Sequence, residues 1–191
     1  MKSNKVCLIG NYKFKNIEDI FHFDFFKNFL QTSLDVDCII IKNSEADNQI
    51  EKTIEFKSSK INILTTNKIN DKITKNFLLN KNPDICVYGG GRDIFSKEIL
   101  KIPRLGIIGC HFGELPYFKG LDTVEWTIYY NKNLHISIHQ FDEEIDNGPI
   151  YLKEKIEYKK VKTFNDVRNN CNLKCMQILP KVTQKILNNE I

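Results

Sequence analysis

The run from Leu105 to Leu152, LGIIGCHFGELPYFKGLDTVEWTIYYNKNLHISIHQFDEEIDNGPIYL, sets the reading of the whole chain. Its apolar start, Leu105–Ile108, reads as a short buried strand. Helical spacing follows over Val124–Tyr130, with Thr123 placed to cap it. His135–Gln140 alternates as a strand does, and Ile150–Ile156 is another strand beyond the tight turn Asp146-Asn147-Gly148-Pro149. Two positions stand out in this frame. His111 sits between Gly109 and Gly113 at a strand end, ahead of the Leu115-Pro116 turn, where an imidazole lines a crevice more readily than it fills a core. Asp146 lies in a turn whose backbone is closely defined.

Working outward, the same alternation covers the chain. Lys5–Ile9, Val36–Ile41, Ile61–Leu64 and Asp84–Tyr88 read as strands. Ile17–Thr32 and Asn70–Asn80 have helical spacing, Ser96–Leu100 is a helical turn, and Thr163–Asn188 forms a closing helix that Pro180 should kink or divide. Strands alternating with helices predict an α/β, Rossmann-like fold: a mainly parallel sheet, helices on both faces, one domain over residues 1–191. Ligands of such sheets bind beyond the carboxyl ends of the strands, where His111, Asp146 and the loop Gly89-Gly90-Gly91-Arg92-Asp93-Ile94 all fall.

Composition narrows the chemistry. The 191 residues carry a formal net charge of +4 with the lysines dispersed, so neither nucleic acid nor a membrane surface is implied. No segment is apolar for long enough to span a bilayer, and Met1–Gly10 runs directly into a strand pattern, which reads as a cytoplasmic protein. The six cysteines contain no CxxC pair and read as reduced, mostly buried thiols, with Cys110 beside the candidate site; no metal site is indicated. The glycine run is neither a P-loop nor a GxGxxG fingerprint, but it lets backbone approach a flat ligand.

Each candidate has a plainer reading. His111 can be structural, and Asp146 can cap its own turn. His135 and His139, on one face of their strand, read as scaffold, as does His22 on a Phe-rich helix. Asp142, Glu143 and Glu144 alone would be a solvated turn. Tyr117, Phe118, Trp126, Tyr129 and Tyr130 are core by default, although one or two can stack on a sugar, base or pterin.

Taken together, Gly109-Cys110-His111-Phe112-Gly113-Glu114-Leu115-Pro116-Tyr117-Phe118-Lys119-Gly120 followed by Asp146-Asn147-Gly148-Pro149 resembles the signature of the folate-dependent formyltransferases. That family has Asn-x-His-Pro-Ser/Gly-x-Leu-Pro-x-x-x-Gly and a later Asp-x-Gly turn. The approach Asn82-Pro83-Asp84 and the spacing of Gly89 to Arg92 also match. The resemblance implies formyl transfer from 10-formyltetrahydrofolate, with His111 and Asp146 moving protons. It places the folate against Gly89, Arg92, Asp93, Ile94, Leu115, Asp142, Glu143 and Glu144. At the third catalytic position Gly109 replaces the family's Asn, whose side chain holds the developing oxyanion; losing one such donor costs about 3–4 kcal/mol of transition-state stabilisation.

The stretch Gly120–Trp126 is closer to the sugar N-formyltransferases than to the purine branch. The expected acceptor is therefore a small molecule, the amine of a nucleotide-linked amino sugar, and a homodimer is compatible with this. Ending near residue 191 leaves no room for the C-terminal barrel of the tRNA-directed branch. The alternatives are glycinamide ribonucleotide formylation, formyl-folate hydrolysis, or a catalytically impaired homologue that binds folate or a sugar nucleotide.

Overall fold

A computed structural model describes residues 4–11, 24–42, 52–55, 61–158 and 163–191. The first half of the expected helix Ile17–Thr32, with His22, lies outside them. The architecture is α/β and Rossmann-like, and the chain divides into two compact units, Met1–Ile107 and Ile108–Ile191.

In the first unit, β1 (Lys5–Asn11) pairs in parallel with β2 (Asp35–Lys42) and with β5 (Ile85–Tyr88), while β2 pairs in parallel with β4 (Asn62–Thr66). The edge strand β3 (Lys52–Glu55) runs antiparallel to β4. Val6, Cys7, Leu8 and Ile9 are all fully buried in succession, as are Ile85, Cys86 and Val87. A strand buried at every residue is covered on both faces, which explains why these runs read as continuous apolar segments rather than alternating ones.

Helix α1 (Asp24–Leu30) buries Phe25, Phe26 and Phe29. Helix α2 (Lys72–Lys81) starts at Asp71, whose side chain accepts the N–H of Thr74, and stops at Asn82 in the left-handed region, whose N–H closes on Leu78. The short α3 (Lys97–Leu100) follows.

In the second unit, β6 (Ile107–His111), β7 (Leu134–Gln140) and β8 (Ile150–Ile156) form an antiparallel ladder. β6 runs three residues past the expected Leu105–Ile108, and His111, expected at a strand end, is its last residue. Helix α4 (Thr123–Tyr129) is entered through Asp122 in the left-handed region; Thr123, expected as the cap, instead donates its hydroxyl to Phe112 O at 2.5 Å.

Helix α5 (Phe164–Leu187) is capped by Thr163, which accepts the N–H of Asp166. Pro180 does not divide it. Its buried stripe, Val167, Cys171, Cys175, Leu179, Val182 and Ile186, packs on β7 and β8, each fully buried aliphatic side chain contributing about 1.5–3 kcal/mol. Among the described residues no helix is long and apolar enough to cross a membrane.

Candidate active site

The antiparallel register of β6 and β7 builds the site. Gly109 lies opposite His139 and His111 opposite Ser137. Alternation puts Gly109, His111, Ser137 and His139 on one face of the pair, with Ile136 and Ile138 on the other. Ser137 is fully buried and donates its hydroxyl to Gly113 O at 2.7 Å while accepting the N–H of Leu115 at 3.2 Å. The loop after His111 is thus tied to the strand opposite.

Within that loop His111 Nε2 lies 2.7 Å from Phe118 O. Gly113 permits this contact, since a methyl there would stand 2.7 Å from both the imidazole Nε2 and the Phe118 oxygen.

Asp146 reaches the same face from the turn before β8, with its own φ at 50°. Its Oδ2 accepts the N–H of Gly120 at 2.8 Å and lies 3.3 Å from His111 Nδ1; its Oδ1 lies 3.5 Å from His139 Nε2. The carboxylate therefore bridges two imidazoles and a loop amide rather than capping its own turn. The side chains of His111 and Asp146 are only 10% and 14% exposed, and that of His139 1%. Burial pushes the His139 imidazole below its ordinary value, against the upward pull of Asp146, the Gln140 carbonyl and Asp142, with His111 adding to the depression.

His139 is the residue that sequence reasoning missed. It is buried as scaffold would be, but its ring is 6.4 Å from that of His111, edge to face, and it shares Asp146. His135 goes elsewhere, to within 3.4 Å of Glu114, which Lys153 also approaches at 3.9 Å. Gly109 is buried and brings no side chain to the face. Among the described residues no cluster of three or more His, Cys, Asp or Glu could hold a metal.

The remaining candidates divide. Leu115 is fully buried, so its side chain packs in the interior. Asp142 accepts the N–H of Glu144 at 2.9 Å, shaping a turn on which Glu143 and Glu144 are exposed. In the first unit, Gly89 donates its N–H to Ile9 O at 2.8 Å, and a methyl there would strike the Phe25 ring. Asp93 pairs with Lys42 and accepts the Tyr88 hydroxyl at 2.8 Å. Its carboxylate holds the glycine loop together, whereas Arg92 and Ile94 are exposed.

Residues 32–183 match the family model described as formyl transferase. The chain belongs to the formyl transferase family. It is 29% identical to the bifunctional polymyxin resistance protein ArnA of Wigglesworthia glossinidia brevipalpis, over 69% of this chain and 20% of that protein. It is also 29% identical to the methionyl-tRNA formyltransferase of Alkaliphilus oremlandii, over 69% of this chain and 43% of that protein.

The chain thus spans less than half the length of either relative. Among solved structures, phosphoribosylglycinamide formyltransferase of Bacillus halodurans superposes with a TM-score of 0.71 at 19% identity, covering 98% of this chain and 97% of that one. A 4-N formyltransferase of Francisella tularensis gives 0.64 at 23%, covering 97% and 70%. These likenesses establish the fold that formyl transferase family members share with this chain.

Proposed function

We propose that this formyl transferase family member moves a formyl group from 10-formyltetrahydrofolate to a primary amine, and that the amine belongs to a nucleotide-linked amino sugar. The observation that carries the first half is the His111–Asp146 pair at 3.3 Å, with His111 Nε2 directed at a carbonyl oxygen. A ring nitrogen that already meets a backbone carbonyl oxygen, backed by a carboxylate at the other ring nitrogen, supports a reading in which the pair manages protons during attack on a carbonyl carbon. His111 moves protons between the attacking amine and the oxygen, and Asp146 orients the ring and takes up the charge change. In this reading the turn Asp142–Glu144, next to Asp146, contacts the pterin.

The second half is supported by the Gly120–Trp126 stretch and by the aromatic group that follows it. Trp126 and Tyr130 are stacked at 6.0 Å and about half exposed, a surface able to take a sugar or base face. Gly109 favours a second reading, a homologue that binds folate without turning it over.

The test is release of tetrahydrofolate from 10-formyltetrahydrofolate with nucleotide-linked amino sugars, glycinamide ribonucleotide, or no acceptor. Release dependent on one amino sugar, and lowered about 10²–10⁴-fold in His111→Ala, supports the proposal. Release without acceptor makes the protein a hydrolase. Folate binding without release in any arm makes it a binder.

A further inference from the structure

One buried hydroxyl pins the loop after β6 on both sides of Glu114. Ser137 Oγ donates to Gly113 O at 2.7 Å and accepts the N–H of Leu115 at 3.2 Å. The backbone oxygen of Glu114, between those two groups, accepts the N–H of Tyr117 at 2.9 Å and of Phe118 at 3.0 Å. These bonds close the turn that ends with Phe118 O, 2.7 Å from His111 Nε2. A carbonyl oxygen only accepts, so Nε2 carries the proton of that contact.

The side chain of Glu114 reaches two further points on the sheet. Residues alternate along β7, so His135 shares the face of Ser137, and Lys153 of β8 lies opposite Ser137 on that face. Glu114 Oε2 is 3.4 Å from His135 Nδ1, and its Oε1 is 3.9 Å from Lys153 Nζ. His135 Nδ1 is buried without a hydrogen bond of good geometry. A buried ring nitrogen left without a partner costs free energy, which favours keeping the carboxylate against β7. The Lys153 ammonium also lies 5.9 Å from the centre of the Tyr117 ring, within reach of a cation–π contact with the same turn.

The Ser137 hydroxyl and the fully buried side chain of Leu115 fix two neighbouring points of the loop and leave the turn free to swing about them. The Glu114 carboxylate adds contacts on β7 and β8 beyond those points and removes the swing. Partly exposed ion pairs add little to stability, so this clamp acts on the direction of the turn more than on the fold.

We propose that Glu114 is a positioning residue: clamped between His135 and Lys153, it sets the turn that presents Phe118 O to His111 and so holds the imidazole in one orientation for formyl transfer. The proposal deepens the formyl-transfer reading and rests on it. His135 and Lys153 are then the fixed points of the clamp, and neither touches the reacting atoms.

The test compares Glu114→Ala, which removes the carboxylate, with Glu114→Gln, which keeps an acceptor oxygen and the side-chain length. Ring-nitrogen NMR follows solvent exchange of the His111 Nε2 proton, steady-state kinetics follow kcat and KM, and thermal melting checks the fold. In the Ala variant the Nε2 proton should exchange at least about tenfold faster and kcat should fall by about 10–10²-fold, with both KM values within about twofold of wild type. The melting temperature should move little, and the Gln variant should recover most of both effects. A folded Ala variant whose Nε2 proton exchanges as in the wild-type protein overturns the proposal, whatever its kcat. Faster exchange with kcat unchanged overturns it as well, because the orientation set by Glu114 would then not matter to the reaction. If exchange quickens while the wild-type protein formylates no amine, the formyl-transfer reading fails and the hold of Glu114 on His111 stands.

Discussion

Asp146 accepts the backbone N–H of Gly120 at 2.8 Å with the same oxygen that faces His111. The carboxylate therefore fixes the loop after β6 and serves the imidazole at once, and two substitutions separate the roles. Asp146→Asn keeps an oxygen for Gly120 and tolerates the left-handed backbone at this position. It should leave the melting temperature nearly unchanged while lowering formyl transfer by about 10²-fold or more. Asp146→Ala strands the Gly120 amide and strains the backbone, adding a stability loss of about 2–4 kcal/mol, read by urea unfolding.

Asp93 gives a prediction of the opposite kind. Its carboxylate is 7% exposed and pairs with Lys42 and the Tyr88 hydroxyl. Lys42→Met leaves a buried carboxylate without its counter-charge and should cost about 3 kcal/mol or more. Tyr88→Phe removes one hydrogen bond and should cost about 1–3 kcal/mol. Equilibrium unfolding of the two variants and the double variant measures the pair; costs that simply add would show that the three groups do not act as one cluster.

Much of this was legible in the sequence for physical reasons. The central strands are buried on both faces, so they appear as apolar runs, and the closing helix begins where expected, at its cap Thr163. His111 and Asp146 were legible because glycines and turn residues flank them. His139 was not, because an imidazole alternating with isoleucines looks the same whether it is scaffold or faces a carboxylate. Only the register that sets it against Gly109 decides, and that register depended on β6 continuing through Gly109 and Cys110, which carry little strand signal. Asp93 looked like a ligand contact because Lys42, its partner, lies 51 residues away.

Four of the thiols should be silent in the native state. All six cysteines are free. Burial pushes the Cys7 and Cys110 thiols well above the ordinary range, Cys38 is pushed up chiefly by its bond with Cys7, and burial raises Cys171 to about 11. Only the thiolate reacts appreciably, so a colorimetric thiol reagent at neutral pH should modify these four slowly or not at all until denaturant is added. Fast modification of Cys110, detected by peptide mass, would show that the face behind His111 opens in solution.

The depressed imidazole of His139 sets a pH dependence of stability. In the unfolded chain this ring titrates near its ordinary value of about 6.5, and in the folded chain below it. On acidification the unfolded state therefore binds the proton first, and mass action favours unfolding. The contribution is fully present above about 6.5 and is lost as the pH falls toward and through the lower folded value. The urea midpoint of the wild-type protein should accordingly drop between about pH 7.5 and about pH 5.5, and the drop should be smaller in His139→Gln, which has no proton to gain there. Equal drops in the two proteins would mean that acid destabilisation comes from other groups and that His139 is not held neutral by its burial.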